Sequence, residues 1–342
     1  MKRLTIALLI ALAVGPLSVA AGTVKPAAKT KAQIENRDAR TDARARQKAM
    51  AAVTTWAIQL RFLDRLELAA APIDLVVIDH APHPKKDVET PFTRAEIAPL
   101  QVKPDGARRI VLAYLSVGEA ERYRYYWQGA WDAAETRPAW LSVENPRWAG
   151  NYAVNFSAPE WQGVIFGSPD GYLDRIIAAG FDGVFLDRVD AYQDVEAADP
   201  GAEAAMSSFV ARLADYARRK NPNFLIVMQN AEELLRLKSL VARIDAAAKE
   251  DLLFGHDNSD AENPKQMVQD TIGYLRRARR AGLKVLVLEY AATSDAIAAA
   301  RALAKREGFV LHVTERMLGT LSLDRPSPGN KSENGGVSQP SP

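Results

Sequence analysis

Acidic residues stand directly after short apolar runs at several places in this sequence. The run Gly183-Val-Phe-Leu ends in Asp187, and Asp190 follows it closely. Carboxylates held near one another repel, so a cluster of them is not explained by stability alone. Such a cluster could act as acid and base in catalysis, ligate a metal ion or bind a cationic substrate.

The same arrangement recurs at the ends of other apolar runs. The polar residues found there are Asp79 and His80, then Ser116, Gly118 and Glu119, then Asn230 and Glu232, then Glu250, and finally Glu289 and Tyr290. Structural explanations stay open for three of them. Asp79 could cap a following helix, Glu232 could lie in the first turn of a helix, and Glu250 could be a surface residue of an Ala-rich helix.

These acids must be positioned by the elements that precede them. Eight apolar runs predict strands at residues 56–60, 75–79, 110–116, 183–187, 224–230, 244–250, 285–289 and 309–313. Helical patterns fall between them at residues 171–179, 202–220, 232–242, 264–281 and 295–307. This alternation favours the α/β class with a parallel sheet covered on both faces, and eight repeats fit a closed (β/α)8 barrel. In such a barrel the acids at the strand ends would converge on one rim.

A ninth candidate strand, residues 152–156, complicates the count. We place it in a long excursion between the third and fourth barrel strands. An open doubly wound sheet is the alternative architecture. It is disfavoured because no Gly-x-Gly-x-x-Gly loop follows the first strand and the sequence contains no Walker-type loop.

The two ends of the chain differ from the middle in composition. Residues 1–22 combine a basic start, an apolar run interrupted by Pro16 and a small-residue end. This pattern is typical of a secretory signal peptide cleaved near Ala20 or Ala21, and the run is too short to span a bilayer comfortably. We therefore expect export to the periplasm or the extracellular space, with no transmembrane span in the mature protein. Residues 23–52 predict a charged, Ala-rich linker or marginal helix, residues 53–322 the barrel, and residues 323–342 a disordered tail.

Composition excludes several classes of function. The chain has no cysteine, which excludes thiol catalysis and Cys-based metal sites. Its net charge is +2, but residues 23–52 hold eight basic and three acidic residues, so the predicted barrel is mildly acidic and suits nucleic acid poorly. The four histidines are scattered, with His80 and His83 as the nearest to a chelating pair, and no Gly-x-Ser-x-Gly motif is present. We predict no metal, no cofactor and no serine triad.

Aromatic residues are concentrated after the third predicted strand. Tyr123-Arg-Tyr-Tyr-Trp127 follows Glu119, and five of the six tryptophans lie between residues 127 and 161. Flat aromatic faces stack on the C–H surfaces of sugar rings, which favours a carbohydrate substrate. Some of these rings would instead pack the excursion onto the barrel, and we expect about half to be structural.

Four ordered motifs resemble glycoside hydrolase family 114, the endo-α-1,4-polygalactosaminidases and their relatives. They are Tyr114-Leu-Ser-Val-Gly-Glu-Ala-Glu-Arg-Tyr-Arg-Tyr-Tyr-Trp127, Gly180-Phe-Asp-Gly-Val-Phe-Leu-Asp-Arg-Val-Asp-Ala-Tyr192, Gln229-Asn-Ala-Glu-Glu-Leu-Leu235 and Lys249-Glu-Asp-Leu-Leu-Phe254. The resemblance covers residues 53–320. It implies a (β/α)8 barrel that cleaves α-1,4-linked galactosamine polymers with two carboxylates.

Within this resemblance, the strand-end Asp of the family corresponds to Asp187 and its downstream Glu to Glu250. We predict Asp187 as the nucleophile and Glu250 as the acid/base of a retaining mechanism. The predicted substrate-binding residues are Asp79, Glu119, Arg122, Tyr123, Tyr126, Trp127, Asp190, Tyr192, Asn230, Glu232 and Tyr290. The expected partner is an amino-sugar polysaccharide, bound by a monomer. The alternatives are a non-catalytic polysaccharide-binding protein on the same barrel and a metal-dependent deacetylase, which would need clustered histidines.

Overall fold

The computed structural model describes residues 31–82, 89–257, 259 and 261–321, with the side chains of residues 31–37 left aside. The predicted signal peptide and the predicted tail lie outside these residues. The chain divides into two compact units between Asp38 and Ala39, and the fold below belongs to the second unit. Within the described residues, no helix combines the length and apolarity that a membrane crossing requires.

Helices and strands alternate along the chain as the sequence predicts. The helices are α1 (Lys31–Ala51), α2 (Arg65–Ala70), α3 (Arg94–Leu100), α4 (Pro159–Ile165), α5 (Tyr172–Ala179), α6 (Ala202–Lys220), α7 (Lys238–Val241), α8 (Lys265–Arg280) and α9 (Ser294–Glu307). The strands are β1 (Trp56–Gln59), β2 (Leu75–Ile78), β3 (Ile110–Ser116), β4 (Glu119–Glu121), β5 (Leu141–Glu144), β6 (Asn151–Val154), β7 (Gly183–Asp187), β8 (Leu225–Gln229), β9 (Ala246–Glu250), β10 (Lys284–Glu289) and β11 (Val310–Val313).

Eight of these strands form one parallel sheet in the order β1-β2-β3-β7-β8-β9-β10-β11. The indole Nε1 of Trp56 on β1 donates to the Val310 carbonyl on β11 at 2.9 Å, and the Gln59 amide donates to the Gly319 carbonyl at 3.1 Å. The first bond joins the first and last strands across the seam, and the second joins β1 to the segment after β11. The (β/α)8 barrel is therefore confirmed, and the open doubly wound sheet is wrong.

Residues alternate along each barrel strand between the lumen and the surrounding helices. The inner set forms its own apolar cluster, which includes Leu112 and Tyr114 on β3, Phe185 on β7 and Ala248 on β9. The outer set packs against the helices in a second cluster. Gly183 permits β7 to lie close to β8, because a Cβ there would stand 2.2 Å from the Leu225 carbonyl oxygen. The alternation decides which strand-end side chains face the lumen.

The helix expected over residues 232–242 is wrong as a continuous element. The chain instead forms a 3-10 turn, Glu232–Arg236, followed by the short helix α7. Leu237 between them has an extended backbone, so the helical pattern is interrupted there. The short helices α2, α3 and α4 have six or seven residues each and were not predicted. Elements of this length carry too few periodic apolar positions to be recognised from pattern.

The excursion between β3 and β7 contains a separate antiparallel sheet in the order β4-β6-β5. Its strand β6 overlaps the ninth strand predicted at residues 152–156, whereas β4 and β5 were not predicted. Helix α1 covers most of the predicted linker. Near the end of this helix Met50 belongs to the core, with 1% of its surface exposed. Arg46 on the same helix donates to Asp245 at 3.1 Å and to the Pro222 carbonyl.

Candidate active site

Two carboxylates lie at the carboxyl ends of barrel strands, at positions that face the lumen. Asp187 follows Phe185 by two residues on β7, and Glu250 follows Ala248 by two residues on β9. Since side chains two apart on a strand share a face, both acids point to the lumen side at the carboxyl ends of their strands. That end of a parallel barrel is where active sites are built.

Asp187 is held by two donors. The Tyr114 hydroxyl donates to its Oδ2 at 2.6 Å, and the Arg188 backbone N–H donates to its Oδ1 at 2.8 Å. Burial is the main cause that raises the pKa of Asp187 to about 7, and the nearby Glu250 charge adds to the rise. The bond from Tyr114 acts in the opposite direction because it favours the charged carboxylate. A side chain from β3 thus fixes the acid at the end of β7.

Glu250 has a similar environment made from other elements. The Asn230 amide donates to its Oε1 at 3.0 Å, and the Tyr290 hydroxyl donates to its Oε2 at 3.0 Å. Burial raises the pKa of Glu250, and the neighbouring Asp251 carboxylate raises it further. Asn230 adopts a positive φ of 55°, which places it just past the end of β8 with its amide toward β9. Two of the predicted binding residues therefore orient the second acid.

Arg188 links two further predicted residues to this centre. Its guanidinium lies 3.0 Å from Glu119 on β4 and 3.2 Å from Asp190. Glu119 is 3% exposed and also accepts the side-chain amides of Asn145 at 2.8 Å and Asn151 at 3.1 Å. Burial raises the pKa of Asp190, against the effect of Arg188. Arg188 was not predicted, and its positive φ of 57° turns the chain directly after Asp187.

Asp79 belongs to a different cluster. Its Oδ1 accepts the Arg124 guanidinium at 2.9 Å, and Arg124 also bonds Glu89 at 3.0 Å and Glu121 at 2.7 Å. Burial alone would raise the pKa of Asp79, but Arg124 and His80 hold it well below its ordinary value. The helix-cap alternative does not apply, because no described helix begins directly after β2. Asp79 instead joins the barrel to the start of the excursion.

Among the described residues, this cluster also contains the acidic and histidine side chains whose spacing comes nearest to that of a metal site. Ligand atoms of Asp79, His80 and Glu89 lie within 4.8 Å of one another. The Arg124 guanidinium already supplies the positive charge among the two carboxylates, so the donor set does not fit a metal ion. His83, the other member of the suggested chelating pair, lies outside the described residues.

The predicted aromatic contacts lie mainly within the excursion. Trp127 donates its indole N–H to Asp132 at 3.0 Å, and Arg122 pairs with the same carboxylate at 2.8 Å. Tyr126 accepts the Glu121 backbone N–H at 2.9 Å. The Tyr123 hydroxyl donates to the Glu121 carboxylate. These four side chains therefore hold the antiparallel sheet and its loops together.

Two other predicted residues contact groups beside the centre rather than the two acids. Tyr192 is 2% exposed and its hydroxyl lies 3.4 Å from Glu233. Glu232 accepts the Thr271 hydroxyl at 2.9 Å and lies 3.4 Å from the Lys249 ammonium. Glu232 thus lies in a 3-10 turn that packs on α8. This is close to the alternative that it lies in the first turn of a helix. The surface-helix alternative for Glu250 is wrong, because Glu250 ends barrel strand β9.

Sequence reasoning passed over Tyr114, although the residue lies in a quoted motif. A signal was available, because a tyrosine in the apolar run of β3 must find a partner for its hydroxyl when buried. Its spacing of two from Ser116 at the end of β3 also places it on the lumen side. Arg188 and Arg124 carried no such signal, since the partners that tie them to other elements, Glu119 and Asp79, lie far away in the chain.

Known proteins resemble this chain over most of its length. The sequence profile of glycoside-hydrolase family GH114 matches residues 36–327. An uncharacterized protein of Deinococcus radiodurans is 37% identical over 281 residues, which cover 81% of this chain and 85% of that protein. Another from Methanocaldococcus jannaschii is 34% identical over 244 residues, covering 69% of this chain and 66% of that protein.

Two solved structures share the fold at lower identity. The glycoside hydrolase domain of PelA from Pseudomonas aeruginosa superposes with a TM-score of 0.60 at 23% identity, covering 79% of this chain and 98% of that one. Aspergillus fumigatus Ega3, solved in complex with galactosamine, has a TM-score of 0.54 at 22% identity, covering 78% and 92%. Both similarities extend over the barrel described above.

Proposed function

The chain belongs to glycoside-hydrolase family GH114, and from that premise we propose that it cleaves α-1,4-linked galactosamine-containing polysaccharide with Asp187 and Glu250. One observation carries the proposal: two partly buried carboxylates face one lumen, and loss of solvent raises the pKa of each. Each is oriented by a tyrosine hydroxyl, from Tyr114 and Tyr290 respectively. Glycoside hydrolysis by two carboxylates requires a raised pKa in the acid/base and an ionised nucleophile beside it.

In the proposed retaining mechanism, a carboxylate oxygen of Asp187 attacks the anomeric carbon. The glycosidic C–O bond breaks, and the proton of Glu250 passes to the leaving oxygen. In the second step Glu250 removes a proton from water, the water oxygen attacks the anomeric carbon, and the bond to Asp187 breaks. Burial raises the pKa of both acids, and the Glu250 charge raises that of Asp187 further, so the pair favours holding a proton, as this cycle requires.

The division of roles follows from the groups around each acid. Ionised Asp187 is stabilised by the Tyr114 hydroxyl and the Arg188 backbone N–H. Glu250 stands beside the Asp251 carboxylate, whose charge favours the protonated form. We therefore assign Asp187 as nucleophile and Glu250 as acid/base. Asn230 and Tyr290 are assigned to orient Glu250 rather than to bind sugar.

The proposed substrate matches the charge of the rim. A galactosamine unit without its acetyl group carries an ammonium ion, and beside Asp187 the carboxylates of Glu119 and Asp190 share one guanidinium, Arg188, so this group keeps a net negative charge. The complex of Ega3 with galactosamine supports the same substrate class. The predicted contacts Asp79, Arg122, Tyr123, Tyr126, Trp127, Tyr192 and Glu232 would act through the packing of the excursion and the loops.

We further propose that the protein is exported and acts as a monomer. The pattern of residues 1–22 supports a cleaved signal peptide, and a polymeric amino sugar is a substrate of the cell exterior or envelope. Cell fractionation with N-terminal sequencing of the mature form tests this step. A cytoplasmic protein that keeps its first 22 residues would contradict it.

The test of the function is hydrolysis of a de-N-acetylated α-1,4-galactosamine polymer, with products identified by mass and the anomer first released by NMR. Asp187→Asn and Glu250→Gln should each abolish hydrolysis without changing the far-UV circular dichroism. Asp215→Asn makes the same chemical change on outer helix α6 and should keep full activity. Full activity of either site variant, or an inverted product, would overturn the assigned roles. Binding without hydrolysis by the wild-type protein would favour the non-catalytic alternative.

A further inference from the structure

Trp148 differs from the other tryptophans in its surroundings. It lies in the turn between β5 and β6 and is 44% exposed. The other five each pack against another aromatic ring: Trp56 on Phe185, Trp127 on Tyr152, and Trp131, Trp140 and Trp161 in a continuous series. Trp148 thus keeps part of its flat aromatic face open to a ligand, unlike the packed tryptophans.

The backbone around Trp148 is firmly held. Its N–H donates to the Asn145 carbonyl at 3.2 Å, and its carbonyl accepts the Asn151 N–H at 3.0 Å. Asn145 and Asn151 also bond each other through the backbone at 2.7 Å. The Gly150 N–H donates to the Glu144 side chain at 2.6 Å. These bonds fix the backbone position of Trp148 before any ligand binds, which reduces the entropy lost on binding.

The same turn is fastened to the centre of the barrel. The side chains of Asn145 and Asn151 both donate to Glu119, one to each carboxylate oxygen. Glu119 pairs with Arg188 at 3.0 Å, and Arg188 directly follows Asp187 and donates its backbone N–H to it. The Trp148 turn is therefore joined to the Asp187 carboxylate through a short, partly buried series of polar contacts. This series places the turn on the part of the excursion that is bonded to the chain directly after Asp187.

We propose that Trp148 is the stacking platform of a distal sugar-binding subsite, positioned relative to the cleavage point by the Asn145/Asn151–Glu119–Arg188 contacts. The ligand is a glycosyl unit of the same polysaccharide chain, so the inference rests on the proposed function. The indole face packs on the C–H surface of the pyranose. The hydroxyl and ammonium groups of the sugar, which point away from the indole, stay in water. The subsite increases affinity for long chains over short ones.

The experiment measures binding of α-1,4-linked galactosamine oligomers of increasing length by isothermal titration calorimetry. All variants carry Asp187→Asn, so the ligands are not consumed. Trp148→Ala should weaken binding of the longest oligomers on the order of tenfold, the size expected for loss of one stacked ring. Binding of the shortest oligomer should be unchanged, and Trp148→Phe should retain most of the affinity for long ones.

Val102→Ala is the matched control. Val102 is 48% exposed, close to the value for Trp148, and lies before β3 at the opposite end of the barrel. It should leave every affinity unchanged. Equal affinity of Trp148→Ala and its parent at all lengths would overturn the platform while leaving the proposed substrate intact. If the parent variant binds no oligomer of any length, the substrate class and the subsite both fail.

Discussion

Replacing Tyr114 by phenylalanine should move the pH dependence of catalysis. The Tyr114 hydroxyl donates to Asp187 at 2.6 Å and is one of two donors that this carboxylate has among the described residues. Burial raises the pKa of Asp187 to about 7, and the bond from Tyr114 limits that rise. Removal of the hydroxyl leaves the buried charge with the Arg188 backbone N–H alone. The protonated form of Asp187 is then favoured over a wider pH range.

The size of the shift can be worked from the strength of the bond. A hydrogen bond to a charged group contributes about 1.5–3 kcal/mol, and one pKa unit corresponds to about 1.4 kcal/mol. The pKa of Asp187 in Tyr114→Phe should therefore rise by about 1–2 units. A nucleophile must be ionised, so kcat/KM at pH 7 should fall roughly 5–50-fold as the ionised fraction decreases. The loss should be recovered as the pH is raised.

The assay is kcat/KM on the galactosamine polymer across the pH range, because this parameter reports groups of the free enzyme. The matched control is Tyr216→Phe, since Tyr216 donates to Asp174 at 2.7 Å between outer helices. It removes the same hydroxyl–carboxylate bond and should not move the acidic limb. If Tyr114→Phe lowers kcat/KM by the same factor at every pH and leaves the acidic limb of the pH profile in place, Tyr114 does not set the ionisation of Asp187.

Two predictions concern stability. Arg124→Gln should lower the free energy of unfolding by about 3–5 kcal/mol, because it leaves buried carboxylates without their cation. The comparison is Arg65→Gln, which removes the exposed pair with Glu96. It should lower the free energy of unfolding by less than about 1 kcal/mol when both variants are measured by urea titration. Asp187→Asn should stabilise the fold above pH 7 by up to about 4 kcal/mol, since the folded pKa of about 7 exceeds the ordinary 3.8 by about three units. Between those two pKa values the unfolded chain binds fewer protons than the folded protein. The rise in melting temperature of Asp187→Asn over the wild type should therefore disappear near pH 4. A rise that persists there would refute this cause.

The barrel could be predicted because its signal is local and repeated. Each apolar run is bounded by polar residues, and all eight predicted strands agree with the structure within two residues. The long helices α6, α8 and α9 were predicted for the same reason. Strands β4 and β5 escaped because they have only three and four residues, include polar ones such as Glu119 and Ser142, and pair within the excursion. A short polar strand has no pattern that separates it from a loop.

The site was predictable in part by the same logic. Asp187 and Glu250 both end strands, and the period of two along a strand determines the face each occupies. The donors to them come from elsewhere: Tyr114 lies 73 residues before Asp187, and Tyr290 lies 40 residues after Glu250. Hydrogen-bond partners of this kind are set by strand order and register. A single sequence states neither.

The acids at and near the strand ends differ in whether a lysine or arginine neutralises them. Arg124 pairs with Asp79, Arg188 with Glu119 and Asp190, Lys249 with Glu232, and Arg316 with Asp251 at 2.9 Å. Among the described residues, Asp187 and Glu250 have no lysine or arginine within ion-pair distance, and their donors are hydroxyl, amide and backbone N–H groups. A fixed cation would hold a carboxylate ionised and unable to exchange a proton. Neutral donors orient Glu250 and leave it able to hold and release a proton, while the two donors to Asp187 favour its ionised form without a fixed cation.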